Sequence, residues 1–392
     1  MVLHLPGIGG IQSSLCNLIN EINDAYEIDL CVLGNRITNE SRIPDSVGVI
    51  HGSKIIEYCI SNYHSVISSM SLIQKIVLFV VKVAKRILGY KFMLDFALRF
   101  IKPNKEYDVA ISYTNDIYSD EGFHGGCNDY VSKCVLSKKK LAWVHNDPNK
   151  HGLTSKICLS TYKNYDGVVF VSNACRDMFV KIVPEFIDKT HVVYNMINKD
   201  ELLKLASAYS PNFKDTFNIV TVARLDNKQK RIDRIIDCCE LLNDKGYKGV
   251  FMWTVIGNGP DNKYLIDMAF NKGVCDSLLF AGWNSNPYPY MKGADVFVLA
   301  SDYEAYSMVL IETLAVGTPI ICTNYPGADE VIENDINGLL TEMNAKSLCE
   351  AIENVIENDS VLERLRKNIN KSELGTKLPL YQFNNLLASL FV

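Results

Sequence analysis

Short β-branched runs, each followed by a longer amphipathic stretch, recur along nearly the whole sequence. Such runs, separated by segments long enough for a crossover helix, belong to parallel sheets covered by helices. The expected class is therefore α/β. In the first half the strand candidates are Val2–Leu5, Ile28–Leu33, Val47–Ile50, Asp108–Tyr113, Leu141–Val144, Gly167–Ser172 and His191–Tyr194. In the second half they are Asn218–Ala223, Phe251–Ile256, Leu278–Ala281, Val296–Leu299, Pro319–Cys322 and Gly338–Leu340. Between the two sets, Asn198 to Thr216 contains SAYSPNFKDT, a polar stretch broken by a proline, and reads as a domain boundary. The expected division is residues 1–198, residues 199–376 and a terminal helix within 377–392 that either caps its own domain or crosses back to the first.

Composition narrows the function classes. The 392 residues, 48% of them apolar, suffice for two or three domains of ~150 residues each. Forty Lys and Arg against 45 Asp and Glu leave a net charge of -5, so nucleic acid is not an expected partner. The 12 cysteines show no C-x-x-C pair and no clustering with the seven histidines. Neither a metal site nor a disulfide scaffold is expected, and a reducing cytosol fits. No stretch reaches the roughly 18 apolar residues of a spanning helix. The opening MVLHLPGIGG lacks the basic and apolar regions of a signal peptide. The chain is expected to be cytosolic or held on a membrane surface.

Three motifs carry chemistry. Gly7-Ile-Gly9-Gly10 lies between the first, short strand and a helical stretch, Gln12–Ile22. Its glycines let backbone approach an anion at the helix start, although a plain tight turn explains them equally well. After the first strand of the second half comes Arg224-Leu-Asp-Asn-Lys228-Gln-Lys230-Arg231. Arg224 at a strand's carboxyl end and Lys230 at the opening of the next helix would place two cations where open α/β sheets bind ligands, enough to neutralise a diphosphate. Lys228 and Arg231 read instead as solvated charges.

The third motif is the strongest. A strand ending at Ala300 leads into a loop with Glu304, and Ser307 can cap a helix running to about Val316. Glu312 then lies about 7 Å along that helix. Its neighbours Val309, Leu310, Ile311, Leu314 and Ala315 make the helix nearly apolar all round, so Glu312 is expected to be buried. Two carboxylates beside an anion-binding helix start suit a sugar nucleotide, because carboxylates accept hydrogen bonds from vicinal hydroxyls.

The E-x7-E spacing of Glu304 and Glu312, the Arg224 and Lys230 pair, IGNGP at 256–260, Gly9-Gly10, WVHND at 143–147 and NPYPYMKGADVFVLAS at 286–301 together resemble the retaining glycosyltransferases of glycosyltransferase family 4. The resemblance is almost continuous from about Phe217 to Leu340. It implies the GT-B fold, two Rossmann-like parallel-sheet domains facing across a cleft, with the acceptor side in the first and the donor in the second. It also implies roles. Arg224 and Lys230, with the backbone at Gly9 and Gly10, would hold the donor diphosphate. Glu312 would bind the ribose, and Glu304 the transferred sugar, with Tyr306, Ser307 and Met308 contacting the sugar or its phosphate. Gly257, Phe280, Gly282 and Trp283 would border the base, and His145 would reach the sugar near the reacting bond. Glu304 and His145 are thus the expected catalytic residues. The separation from Arg224 to Lys230 is one residue longer than the family's usual spacing, and Arg231 stands where the family has glycine.

The implied reaction moves a hexose or N-acetylhexosamine from a nucleotide sugar, with UDP as the expected carrier, to a lipid-linked saccharide in surface polysaccharide assembly. It needs no cofactor beyond the nucleotide-sugar co-substrate and no metal, since no D-x-D falls in the matching frame. A UDP-sugar epimerase of the same fold and a silent sugar-nucleotide-binding module are the alternatives.

Residues 71–102, SLIQKIVLFVVKVAKRILGYKFMLDFALRFIK, carry seven Lys or Arg and one acid. Lys75, Lys82 and Arg86 share one helical face beside Ile76, Val77, Phe79, Val80, Val83 and Ile87. Peripheral membrane contact on the cytoplasmic face is expected here; a basic-rimmed core helix is the other reading.

Overall fold

The computed structural model describes residues 1–3, 9–34, 42–52, 56, 58–59, 71–99, 101, 105–114, 116–119, 122–150, 152–369, 375 and 377–392. His4 and Leu5 of the expected first strand, Gly7 of the glycine loop, and Phe100 and Lys102 of the basic stretch lie outside them. The strands are β1 (Val2–Leu3), β2 (Asp29–Val32), β3 (Gly48–His51), β4 (Tyr107–Ser112), β5 (Ile117–Ser119), β6 (Gly122–His124), β7 (Ser137–Val144), β8 (Gly167–Phe170), β9 (Thr190–Val192), β10 (Phe217–Val222), β11 (Phe251–Ile256), β12 (Leu278–Gly282), β13 (Val296–Leu299), β14 (Ile320–Thr323) and β15 (Gly338–Thr341). Every expected strand has its counterpart, within a few residues at each end. The antiparallel β5–β6 hairpin has none in the sequence reading.

The chain divides into two compact units, Met1–Met196 with Leu380–Val392, and Ile197–Pro379. In the first, seven parallel strands run in the order β3-β2-β1-β4-β7-β8-β9. Leu141 and Val144 on β7 and Phe170 on β8 are fully buried, as strands covered on both faces require. The last residues complete the same unit. Phe383 of the helix Lys377–Ser389 packs its ring 6.2 Å from Trp143, and Gln382 accepts a hydrogen bond from the Tyr194 backbone at 3.0 Å.

In the second unit, six parallel strands run β12-β11-β10-β13-β14-β15. Its core joins Ile219, Trp253, Val255, Val298 and Ile321 of the sheet to Ile235, Ile236, Leu348 and Ile352 of the helices Ile232–Leu242 and Ala345–Glu357. Burying Trp253 in an apolar layer requires a partner for its indole N–H. Thr221 supplies it at 3.1 Å and donates its own hydroxyl to the Val298 carbonyl at 2.7 Å. That chain ties β11, β10 and β13 together where the strand order reverses, between β10 and β13.

Candidate functional site in the second unit

In an open parallel sheet the carboxyl ends of the strands flanking the reversal diverge and leave a crevice. Here those strands are β10 and β13, and the residues following each meet. After β10 the chain makes a short helical turn, Asn227–Lys230, and then passes through Arg231 in the left-handed region (φ 49°) into the helix Ile232–Leu242. Lys230 therefore closes a turn and does not open the long helix. After β13 the loop brings back Glu304. Lys230 Nζ sits 2.5 Å from Glu304 Oε1. Ser301 donates to the same oxygen at 2.6 Å, and Gln229 donates to Oε2 at 3.2 Å and to the Tyr303 carbonyl at 3.1 Å. Glu304 is buried and held by three donors from both sides of the reversal.

A second layer fixes this turn. Arg234, buried on the helix, donates to the Ala300 carbonyl at 2.5 Å and to Asp302 Oδ1 at 2.7 Å. Arg231 donates to Asp302 Oδ2 at 2.9 Å and also pairs with Asp233. Arg231 is thus not the solvated charge expected from sequence; a buried neighbour and two carboxylates enclose it. Burial acts to raise the Asp302 carboxyl, but the two guanidinium groups outweigh it and hold its pKa below the usual range. The Asp302 N–H donates to the Gln229 carbonyl at 2.9 Å, so the two loops are also linked through backbone.

Arg224 lies at the carboxyl end of β10 with its side chain 63% exposed, paired with Asp226 at 2.7 Å. It remains accessible to a ligand, which a cation neutralised inside the sheet would not be. Glu312 differs from expectation: it is half-buried, and it accepts a hydrogen bond from the Tyr288 hydroxyl at 3.2 Å. The helix Met308–Val316 buries Leu310, Ile311, Thr313 and Leu314 but leaves Val309, Glu312 and Ala315 partly open. Ser307 occupies the N-cap position without a side-chain cap bond, and Tyr306 and Ser307 are both buried.

Gly257 shows why a glycine stands there. A Cβ on it would lie 1.9 Å from the Ala223 carbonyl oxygen, and its φ of +148° is strained for any other residue. Its N–H donates to the Gly282 carbonyl at 2.8 Å, while Leu225 and Asn258 bond through backbone at 3.0 Å. The loops after β10 and β11 are stitched along their length, and this fixes the start of the Arg224 segment. Phe280 is half-buried, whereas Gly282 and Trp283 are exposed at the end of β12. Tyr325, just beyond β14, is a residue that sequence reasoning missed. It is almost wholly buried, and burial above all, with the nearby Glu304 carboxylate adding to it, drives its phenol well above its usual pKa. Ser301, Gln229 and Asp302 were missed too, although each lies within three residues of a residue singled out by pattern.

In the first unit, Gly9 and Gly10 begin the helix Gly10–Ile22. Gly9 is extended (φ -160°), a conformation open to any residue. Ser14 on that helix donates to Asn195 at 2.8 Å and lies 3.0 Å from the Tyr113 hydroxyl. His145, just past β7, is buried with its ring centroid 4.7 Å from that of Tyr113. Burial lowers its pKa to about 3, so it is a neutral imidazole at physiological pH. Asp147 accepts from the Asn149 N–H at 2.8 Å and so closes its own turn.

Comparison with known proteins addresses the second unit most directly. Residues 206–372 match the family model described as Glycosyl transferases group 1. The segment so matched contains Arg224, Lys230, Glu304 and Glu312. Among curated relatives, the chain is 30% identical over 128 residues to the lipopolysaccharide core biosynthesis glycosyltransferase LpsE of Rhizobium meliloti, covering 32% of this chain and 37% of that one. It is 30% identical over 182 residues to the N-acetylgalactosamine-N,N'-diacetylbacillosaminyl-diphospho-undecaprenol 4-alpha-N-acetylgalactosaminyltransferase of Campylobacter jejuni, covering 46% of this chain and 47% of that one. The chain thus spans less than half the length of either. Among solved structures, TarM of S. aureus, crystallised with fondaparinux, alpha-GlcNAc-glycerol and UDP, superposes with a TM-score of 0.71 at 12% identity, over 100% of this chain and 99% of that one. The fold is GT-B, built from two Rossmann-like units.

Proposed function

We propose that the chain is a retaining glycosyltransferase of family 4 that transfers a hexose or N-acetylhexosamine from a UDP-sugar to a lipid-linked saccharide acceptor during capsule, O-antigen or exopolysaccharide assembly. The observation that carries this reading is the Lys230–Glu304 pair at the reversal of a parallel sheet, with Arg224 accessible on the same strand's end. UDP as carrier is supported by its presence in the TarM crystals, and the lipid-linked acceptor by the Campylobacter relative's name. That acceptor is membrane-borne, which assigns the chain to the inner face of the cytoplasmic membrane as a peripheral protein.

Arg224 and Lys230 hold the donor diphosphate, and Glu312 accepts from the ribose hydroxyls. Tyr306, Ser307 and Met308 line the helix start facing sugar and phosphate, and Gly257, Phe280, Gly282 and Trp283 border the uracil. In the reaction the bond from the anomeric carbon to the diphosphate oxygen breaks, and an acceptor oxygen bonds to that carbon from the same face. The acceptor proton passes to the departing phosphate. The charge developing on the leaving group is met by fixed cations and helix N–H groups, so the step draws on no metal. Glu304 orients the sugar hydroxyls and stabilises positive charge at the anomeric carbon.

The test is a thermal-shift panel of UDP, GDP, ADP and UDP-sugars. A ligand bound only by the folded chain raises its melting temperature. UDP and one UDP-sugar should do so in wild type, and at the same concentration should do so less in Arg224→Ala. An unchanged melting temperature across the panel would refute the reading.

A further inference from the structure

The helix Leu72–Leu88 in the first unit is apolar on two opposite sides, and only one of them is used. Leu78 and Val81 are buried, and Lys85 turns the same way, donating to the Tyr58 carbonyl at 3.0 Å. These three form a narrow seam against the unit. At ~100° per residue, Leu72, Ile73, Ile76, Phe79, Val80, Val83 and Ile87 fall within an arc of roughly 120° on the far side of the helix. All seven are exposed: Ile73 and Ile87 at 74%, Phe79 at 67%. Lys75, Lys82 and Arg86 form a row along one margin of this stripe, between it and the seam. The helix carries no acid. Beyond Gly89, the helix Tyr90–Leu98 buries Leu94, Ala97 and Leu98 and exposes Phe92 and Phe96, one turn apart. Its single acid, Asp95, is paired with Lys133 at 2.6 Å. Among the described residues, Lys75, Lys82, Arg86 and Lys91 form no ion pair.

We infer that this stripe is a docking face for an anionic lipid bilayer, with the seven apolar side chains in the acyl boundary and Lys75, Lys82 and Arg86 on the headgroups. An exposed apolar area of this extent marks an interaction surface. This row of cations chooses the occupant. A second copy of the chain would bring like charges and no free acid to the contact, whereas an anionic bilayer answers both halves of the surface at once. No helix among the described residues is long and apolar enough to cross a membrane, so the contact is interfacial. This inference rests on the first unit alone and stands apart from the reaction proposed above.

The experiment is flotation of the full chain with vesicles of phosphatidylcholine, with and without phosphatidylglycerol, alongside sedimentation velocity without lipid. Wild type should bind the anionic vesicles about tenfold or more tightly than the neutral ones. The triple reversal Lys75→Glu, Lys82→Glu, Arg86→Glu should remove that preference. The triple substitution Ile76→Ser, Phe79→Ser, Val83→Ser should leave only weak binding that high salt abolishes. Because all six positions are exposed, both variants should keep the wild-type melting temperature and UDP response, so loss of lipid binding and failure of the nucleotide reading remain separable. Equal binding to both vesicles, no binding to either, or a lipid-independent dimer that the serine variant dissolves would each overturn the inference.

Discussion

The two units share one plan, a parallel sheet with its polar residues gathered beyond the strands, yet the second gathers charges and the first gathers neutral groups. In the second, Lys230 pairs with Glu304 while Arg231 and Arg234 pair with Asp302, and Gln229 hydrogen-bonds to both acidic residues across the reversal between β10 and β13. In the first, Ser14, Tyr113, Asn195 and His145 are all buried and uncharged, His145 because burial strips its proton. A set of fixed charges answers a charged ligand such as a diphosphate with little reorganisation. A buried neutral set can only orient hydroxyls. The contrast teaches that one architecture can carry paired charges beyond one sheet and a buried neutral hydrogen-bonding set beyond the other.

The largest expected effect tests the charged side. Glu304→Gln should lower the turnover number about a hundredfold to a thousandfold while UDP binding survives, measured by sugar transfer and calorimetry. Transfer at the wild-type rate would break the comparison at its centre. Next, Asp302→Ala should cost about 3 kcal/mol in denaturant unfolding, because Arg234 would be left buried without its carboxylate. Arg224→Ala, at an exposed position, should leave stability unchanged and weaken UDP binding about tenfold, or ~1.4 kcal/mol.

A titration tests the neutral side. The folded pKa of His145, about 3, lies below its unfolded value. The unfolded chain therefore takes up a proton that the folded chain refuses. Its contribution is complete above about pH 6.5 and is lost as pH falls from there towards 3, roughly 1–2 kcal/mol by pH 5. The difference in unfolding free energy between wild type and His145→Gln should shrink across that window. A difference that grew on acidification would mean that the imidazole is charged when folded.

How much of this was legible depended on how local the cause was. The apolar runs of β11 and β13 are each complete in themselves, so their bounds agree with the sequence reading residue for residue. Lys230 and Glu304 were legible as types in a pattern, but their contact, 74 positions apart, is set by strand order, which the pattern does not contain. Arg231 was misread because one of the two carboxylates that pair with it is tertiary: Asp302 reaches it from another loop. Glu312 was misread for a related reason. An all-apolar helix is buried only where neighbours cover it, and the face carrying Glu312 is left partly open beside Tyr288. The β5–β6 hairpin escaped because two three-residue strands carry too few positions for an alternation to show.

The stitching of residues 223–227 to residues 257–261 has a consequence for anyone seeking to redesign this end of the sheet. With Gly257 pressed against the Ala223 carbonyl and Asp261 accepting from the Asn227 N–H at 2.7 Å, neither loop can be redrawn while the other keeps its course. Grafts from a homologue should carry both segments as one cassette; exchanged singly, each would displace the arginine that the graft was meant to preserve.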